Sequence, residues 1–460
     1  MIIRTEVNHS LTHSIIIYIS ILSCFTIITL MAPFFGGKIS LLSISGLLFL
    51  STSLLPILTT GKRWFHPLVI QIPILSVQAI SIIAAGCGLI ALQNPFLSIT
   101  SDIAIEDLYI NTSLINAVGC LVMFLACFWP RSVKRLDSVT CPKYTLNRRL
   151  VLFACIFTLI AWSSYLYIVY EIGSIGFMFS NMGNRVIIYH DLNYFIKFTK
   201  VGIYAAILLL FNRNIFISML LVVGQIFIAT SLGDRGDVIF YTLIPYIITW
   251  HFIKQPIAYK HLLLVFIIFI SFYVALGNYR TASIHSDNTF NTDINISQIL
   301  SGVMHHHNTA AVVYKVDKEE IPLQLGSPLM NVFYAPIPRA VWPKKPIIAE
   351  SALVGSWLKK SDILSGLPPG LFGYGYLNFG WIGVVLFAGI TGIVISRFYF
   401  WCIARYTSNG KKVPNGSVLI YSLFYFLITN PISTEVQVSI LIQVPFLLLI
   451  FFNCRSNSKS

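Results

Sequence analysis

About twenty consecutive apolar residues, recurring with only short polar breaks, leave a chain few ways to fold. This sequence presents twelve apolar runs of 12 to 26 residues, at 14–31, 40–58, 67–92, 109–129, 150–170, 196–211, 215–230, 238–252, 262–276, 381–401, 418–429 and 438–452. A hydrocarbon core about 30 Å thick takes about 20 helical residues per crossing, and inside it the backbone must satisfy its own hydrogen bonds. The expected fold is therefore an all-α polytopic membrane protein of about 12 transmembrane helices. Charged residues make up only 10% of the chain and mean hydropathy is +0.78, which excludes a soluble globule. The first run, from Ser14, lacks a small-residue cleavage site and is expected to be a retained span.

One hydrophilic stretch, 278–369, interrupts the pattern and is the only part long enough to form a water-facing domain. The expected organisation is nine spans in 1–277, a large outer loop domain in 278–370, and a juxtamembrane segment with three spans in 371–460. The stretch 371–401 would be about 45 Å long as one helix. Its first ten residues, after Pro368 and Pro369, are accordingly expected to form a juxtamembrane or re-entrant segment, with the span starting at Trp381.

The basic residues set an orientation. With the amino terminus inside, 18 Lys and Arg fall on the inner side, against Lys38, Arg185, Lys197, Lys200 and Arg235 outside, the long stretch aside. Both termini are thus expected in the cytoplasm and the long stretch on the outer face. Only Glu6 and Asp137 of the 17 acidic residues fall inside, and none of the eight cysteines falls in an outer loop, so no disulfide framework is expected. The net charge of +14 is scattered over short loops, so it speaks for orientation in a membrane and against nucleic acid.

Chemistry is expected on the outer face. The largest inner loop, 131–149, is too short for a nucleotide-binding unit, and the chain has no Walker or GxGxxG pattern. A transferase of this kind would need a donor already activated on a lipid. Arg235 in the turn Gly233-Asp-Arg-Gly-Asp237, Arg280, and Arg339 with Lys344 and Lys345 in a proline-rich run could hold a lipid diphosphate, through guanidinium forks and ammonium point charges. The plainer alternative is that Arg235 pairs with Asp234 or Asp237 and that Lys344 and Lys345 touch anionic head groups. The prolines at 336, 338, 343 and 346 make that run a stiff extended track. Lys197 and Lys200, on one helix face after the outer loop of Arg185, are expected to reach lipid head groups, with a secondary diphosphate or glycan contact that includes Arg185 as the alternative. His305, His306 and His307 cannot share a face of one helix. An apolar stripe of Ile299, Val303, Ala310 and Val313 turns His306 inward with His307 beside it. His306 is the candidate general base, with Asp237 and Glu350 competing. With no DxD pair, no obligatory metal or other cofactor is expected.

In this architecture, together with Gly233–Arg235, the run Ile337-Pro-Arg-Ala-Val-Trp-Pro-Lys-Lys-Pro346 and the segment 370–383, the chain resembles the O-antigen (oligosaccharide repeat unit) polymerases, the Wzy family. The resemblance implies an inner-membrane glycosyltransferase of the GT-C type that joins undecaprenyl-diphosphate-linked units on the periplasmic face. It also implies work alongside a flippase and a chain-length regulator, and carries diphosphate or glycan contact over to Arg235, Arg280 and Arg339. Some members have Arg-x10-Gly in two outer loops; here the residues eleven after Arg185, Arg235, Arg280 and Arg339 are Ile196, Tyr246, Asn291 and Glu350. An O-antigen ligase, or a lipid-linked oligosaccharide flippase, is the alternative.

Overall fold

Helix is the only regular structure in the described residues, as hydrocarbon requires. The computed structural model describes residues 2–60, 66–90, 105–127, 148–181, 188–189, 192–212, 214–234, 236–253, 305–334, 337, 341–342, 354–355, 368–404, 413 and 415–429. In chain order, α1 spans Ile2–Met31, α2 Leu41–Leu54, α3 Pro56–Thr60, α4 Pro67–Gly86 and α5 Ile105–Cys127. Then come α6 (Arg148–Ile172), α7 (Ile175–Ser180), α8 (Asn193–Thr199), α9 (Gly202–Phe211) and α10 (Ile215–Ser231). A π-helical stretch, Asp237–Leu243, leads into α11 (Ile244–Ile253). The long segment contributes α12 (His305–Asp317) and α13 (Ser327–Tyr334), followed by α14 (Gly370–Tyr399) and α15 (Asn415–Thr429).

Seven helical stretches among the described residues are long and apolar enough to cross a bilayer, and three shorter apolar ones accompany them. They fall on the first eight expected spans and on the tenth and eleventh. The expected spans at 262–276 and 438–452 lie outside the described residues. The chain is a multi-pass, all-α membrane protein.

One compact unit comprises Met1–Arg131, Asn295–Arg397 and Thr429–Gln437. Small residues let its backbones approach, which is how helices gain van der Waals contact in lipid. A Cβ on Gly86 would lie 2.4 Å from the Ser43 nitrogen, and one on Gly46 3.0 Å from the Ile83 nitrogen, so α2 and α4 touch main chain to main chain. Ser40 caps α2 in a reciprocal box with Ser43, and its hydroxyl also donates to the Gly86 carbonyl at 2.8 Å. At the same end Lys38 pairs with Glu106 at 3.0 Å. These two residues come from loops that the charge asymmetry assigns to a single face.

α14 is two helical arms. Phe379 (φ −139°, ψ 22°) and Gly380 (φ 59°, ψ −142°) leave helical geometry, and the latter combination is one that only glycine adopts freely. The arms then run back to back. A Cβ on Gly383 would lie 2.0 Å from the Gly375 carbonyl oxygen, and the rings of Tyr374 and Phe387 are 5.7 Å apart. In a straight helix Gly375 and Gly383 would stand about 12 Å apart along the axis. The segment expected to break from the span before Trp381 does so at this apex.

Both arms pack on α5. Phe372 of the first arm covers Gly119, and Gly392 of the second meets the Met123 carbonyl. Cys127 Sγ donates to the Gly392 carbonyl at 3.1 Å, and Ser396 Oγ to the Cys127 carbonyl at 2.8 Å.

The other compact unit comprises Ser132–Ile294, Phe398–Ile428 and Val438–Ser460. Its core joins Phe157 of α6, Tyr204 to Leu210 of α9, Val222 of α10, Tyr246 of α11 and Leu419 of α15. The α8–α9 joint, where a spanning helix breaks for a turn, is closed by Gln225, whose Nε2 donates to the Thr199 carbonyl at 3.0 Å. Gly202 leaves room for it, because a Cβ there would lie 2.3 Å from Gln225 Oε1. Ser218 Oγ ties α10 to the Ala206 carbonyl at 2.6 Å and to the Tyr246 hydroxyl at 3.2 Å.

Candidate functional site

In the first unit, Phe372 sits on Gly119, fourteen residues or about 20 Å along α5 from Ile105. The chain leading into α14 therefore reaches well into the span before rising to the apex. Irregular backbone at that depth needs partners from the protein itself. Asn308 Nδ2 donates to the Pro368 carbonyl and Thr309 Oγ1 to the Pro369 carbonyl, each at 2.8 Å. Both side chains are buried, and both stand on α12.

α12 and the apex are joined more widely. Tyr376 donates to Asp317 Oδ1 at 2.7 Å, and Asn111 of α5 approaches the other oxygen of that carboxylate at 3.4 Å. Gln324 and Leu325 donate backbone N–H groups to the carbonyls of Leu377 and Asn378, each at 3.0 Å. Asn378 Oδ1 accepts from the Gly326 N–H at 3.1 Å, while its amide donates to the Tyr374 carbonyl. α12 meets α5 at Tyr109 and again at Asn111, through His307 and Asp317. About 3 Å on one axis thus matches about 15 Å on the other, so the helices cross steeply.

His306 and His307 head α12 against Tyr109. The Tyr109 hydroxyl and His307 Nδ1 share a hydrogen bond. The His306 ring lies 4.4 Å from that of His307 and 5.8 Å from that of Tyr109, centre to centre. His306 is 3% exposed, facing inward as the apolar stripe requires, with Ala310 and Val313 fully buried on the same helix. His307 Nε2 is shielded from solvent and has no hydrogen-bond partner among the described residues. Burial pushes the His307 imidazole down to about 4. It is neutral at pH 7 and accepts or donates through one tautomer at a time.

Of the residues singled out from sequence, the structure brings His306 into this cluster. Arg185, Arg235, Arg280, Arg339, Lys344, Lys345 and Glu350 lie outside the described residues. Lys200 does not reach for head groups as expected. Its Nζ lies 2.6 Å from Asp237 Oδ1, with side-chain exposures of 7% and 10%, and 4.3 Å from the Tyr241 ring centre. A carboxylate placed opposite by the π-helical stretch supplies the counter-charge that makes burial tolerable. The same contact engages Asp237, a competing base in the sequence reading. Asp234 Oδ1 accepts from the Gly236 and Asp237 N–H groups at 3.1 and 3.3 Å and so caps the turn. Among the described residues no three His, Cys, Asp or Glu side chains converge as metal ligands.

Tyr109, Asp317, Tyr376 and Asn378 escape a linear reading, because each has a partner at least 50 residues away in sequence. Lys200 did carry a signal, since a lysine within an apolar helical run demands an opposite charge nearby. No protein-family model, curated protein or solved structure matches this chain.

Proposed function

We propose that this protein is a polymerase of lipid-linked oligosaccharide repeat units, acting on the outer face of a bacterial inner membrane with both termini in the cytoplasm. A hydroxyl of the incoming undecaprenyl-diphosphate-linked unit attacks the anomeric carbon of the growing chain's first sugar. The new C–O bond forms as the bond to the diphosphate oxygen breaks, undecaprenyl diphosphate departs with the electron pair, and the hydroxyl proton passes to an imidazole. Arg339, with Arg235, Arg280, Arg185, Lys344 and Lys345, neutralises the diphosphates, and His306 takes the proton. A flippase and a chain-length regulator act alongside.

The observation that carries this reading is the buried His306–His307–Tyr109 cluster beside a re-entrant arm, on a helix of the long segment. His306 and His307, packed on each other and on the Tyr109 hydroxyl near the outer end of α5, place imidazole nitrogens beside a polar side chain, the groups that can take a proton from a sugar hydroxyl close to a lipid anchor. The re-entrant arm and the buried Lys200–Asp237 pair also favour a second reading, a lipid-linked oligosaccharide flippase, because transporters use broken helices and buried charges. Lys200 lies near the start of its spanning stretch, Tyr194–Phe211, and Asp237 at the first residue of its own. Charges at helix ends suit a rim better than a midplane pathway.

A deletion strain separates the readings by gel of its surface glycan. Single-repeat caps are expected. Unligated polymer would instead identify a ligase, and absence of any surface repeat a flippase.

A further inference from the structure

α13 has its amphipathicity turned outward. At about 100° per residue Leu329, Met330, Phe333 and Tyr334 fall within one arc, and Pro328 lies on the other side. Pro328 is buried, whereas Met330 is 53% and Phe333 68% exposed. A short helix standing in water shows the opposite arrangement. The flanking chain extends the apolar surface with Leu325 at 72% and Val341 at 75% exposed. Trp342, partly exposed, meets the Tyr334 ring edge-on at 5.8 Å.

This surface adjoins another that is already assigned to lipid. The residues just before α13 are hydrogen-bonded to Leu377 and Asn378, and a Cβ on Gly326 would touch the Phe379 ring at 3.4 Å. Immediately beyond that apex the descending arm of α14 exposes Ile382, Val385, Leu386, Ile390 and Ile393, one helical face of a membrane span. Trp381 opens that face and packs against Tyr376 at 6.2 Å. The Tyr376–Trp381 pair thus sits at the end of a span, where amphipathic rings mark the head-group level, and Tyr334–Trp342 is a second aromatic pair on the α13 surface.

We propose that α13 is an in-plane membrane helix whose Met330–Phe333 face, with Leu325, Val341 and Trp342, lies in the head-group and acyl boundary of the bilayer beside Ile382. Its occupant is lipid, because the patch continues the lipid-facing side of α14, and a helix with an exposed apolar face at that level partitions into the interface. Part of the long hydrophilic stretch then lies on the membrane instead of standing in water. The assignment holds whichever glycan reaction the protein performs.

The test is spin-label accessibility in full-length protein whose eight cysteines are replaced by alanine, reconstituted into phosphatidylethanolamine–phosphatidylglycerol vesicles. Labels at Met330→Cys and Phe333→Cys are compared with Ile382→Cys as the lipid reference and Lys318→Cys, an exposed polar position, as the water reference. Oxygen collisions exceeding those of a water-soluble nickel chelate at both α13 positions, as at 382, are expected. The order found at 318 would overturn the proposal in favour of a water-facing helix. Protection from both reagents would overturn it in favour of a protein cover, such as a second copy.

Discussion

Replacing Lys200 by methionine leaves Asp237 buried without its ammonium partner. At 2.6 Å the pair's attraction is about 6 kcal/mol for an effective dielectric of about 20. Withdrawing two ions from water costs several kcal/mol each, so the intact pair contributes little net stability. Removing one partner leaves the desolvation cost of the other and should destabilise by about 3–5 kcal/mol. Lys200→Met also forfeits the contact with the Tyr241 ring, worth up to about 2 kcal/mol in a dry site. Asp237→Leu keeps that contact and should be the milder single change. The double variant Lys200→Met, Asp237→Leu replaces both ions by apolar groups and should return to within about 1 kcal/mol of wild type. Unfolding of purified protein by rising dodecyl sulfate, followed by maleimide reaction at the buried Cys402 of the same unit, with Cys120 reporting on the other unit, reads the four corners of this cycle. A coupling of at least about 3 kcal/mol is expected. A double variant as unstable as the sum of its singles would refute the pairing.

Gly383→Ala drives a methyl to 2.0 Å from the Gly375 oxygen, backbone against backbone. A loss of about 1–3 kcal/mol is expected in the same assay, whereas Gly389→Ala, 3.8 Å from its nearest neighbour, should be neutral or slightly stabilising. His307 binds its proton only near pH 4 in the folded protein but near 6.5 when unfolded. Its contribution is therefore complete above about pH 6.5 and should be lost as pH falls toward 4, by up to about 3 kcal/mol. The pH slope of stability measured by unfolding should flatten in His307→Gln. Arg339→Lys keeps a charge but loses the bidentate fork, so polymer output at matched expression should fall by roughly one to two powers of ten, at about 1.5–3 kcal/mol per charge-assisted bond. Wild-type output in Arg339→Ala would remove that residue from the site. Lys318→Cys should react with an impermeant thiol reagent in intact spheroplasts and Ser138→Cys should not; the reverse would invert the orientation.

The helices were legible because hydrocarbon length and backbone satisfaction are linear properties of sequence, and so was the break before Trp381, because thirty residues of helix exceed a bilayer. The inward turn of His306 followed from helical period alone. Ring partners did not: Tyr109 reads as an ordinary span-end aromatic until a helix 198 residues later is laid across it. Lys197 and Lys200 look equivalent at i and i+3, yet a carboxylate 37 residues away draws Lys200 into the protein. Amphipathicity also marks α13 without saying which side faces what, since its apolar residues fit a core as well as a membrane surface.

The packing of α14 on α5 has a consequence for synthesis. Cys127 waits for Gly392, 265 residues later, and at about 5–20 residues per second the ribosome needs roughly 13–50 s to deliver it. For that interval Gly119 and the carbonyls of Met123 and Cys127 stand in the membrane without the surface that will cover them. A nascent chain that stops short of residue 370 therefore carries an open seam along α5, and membrane quality-control proteases should recognise it as unfinished.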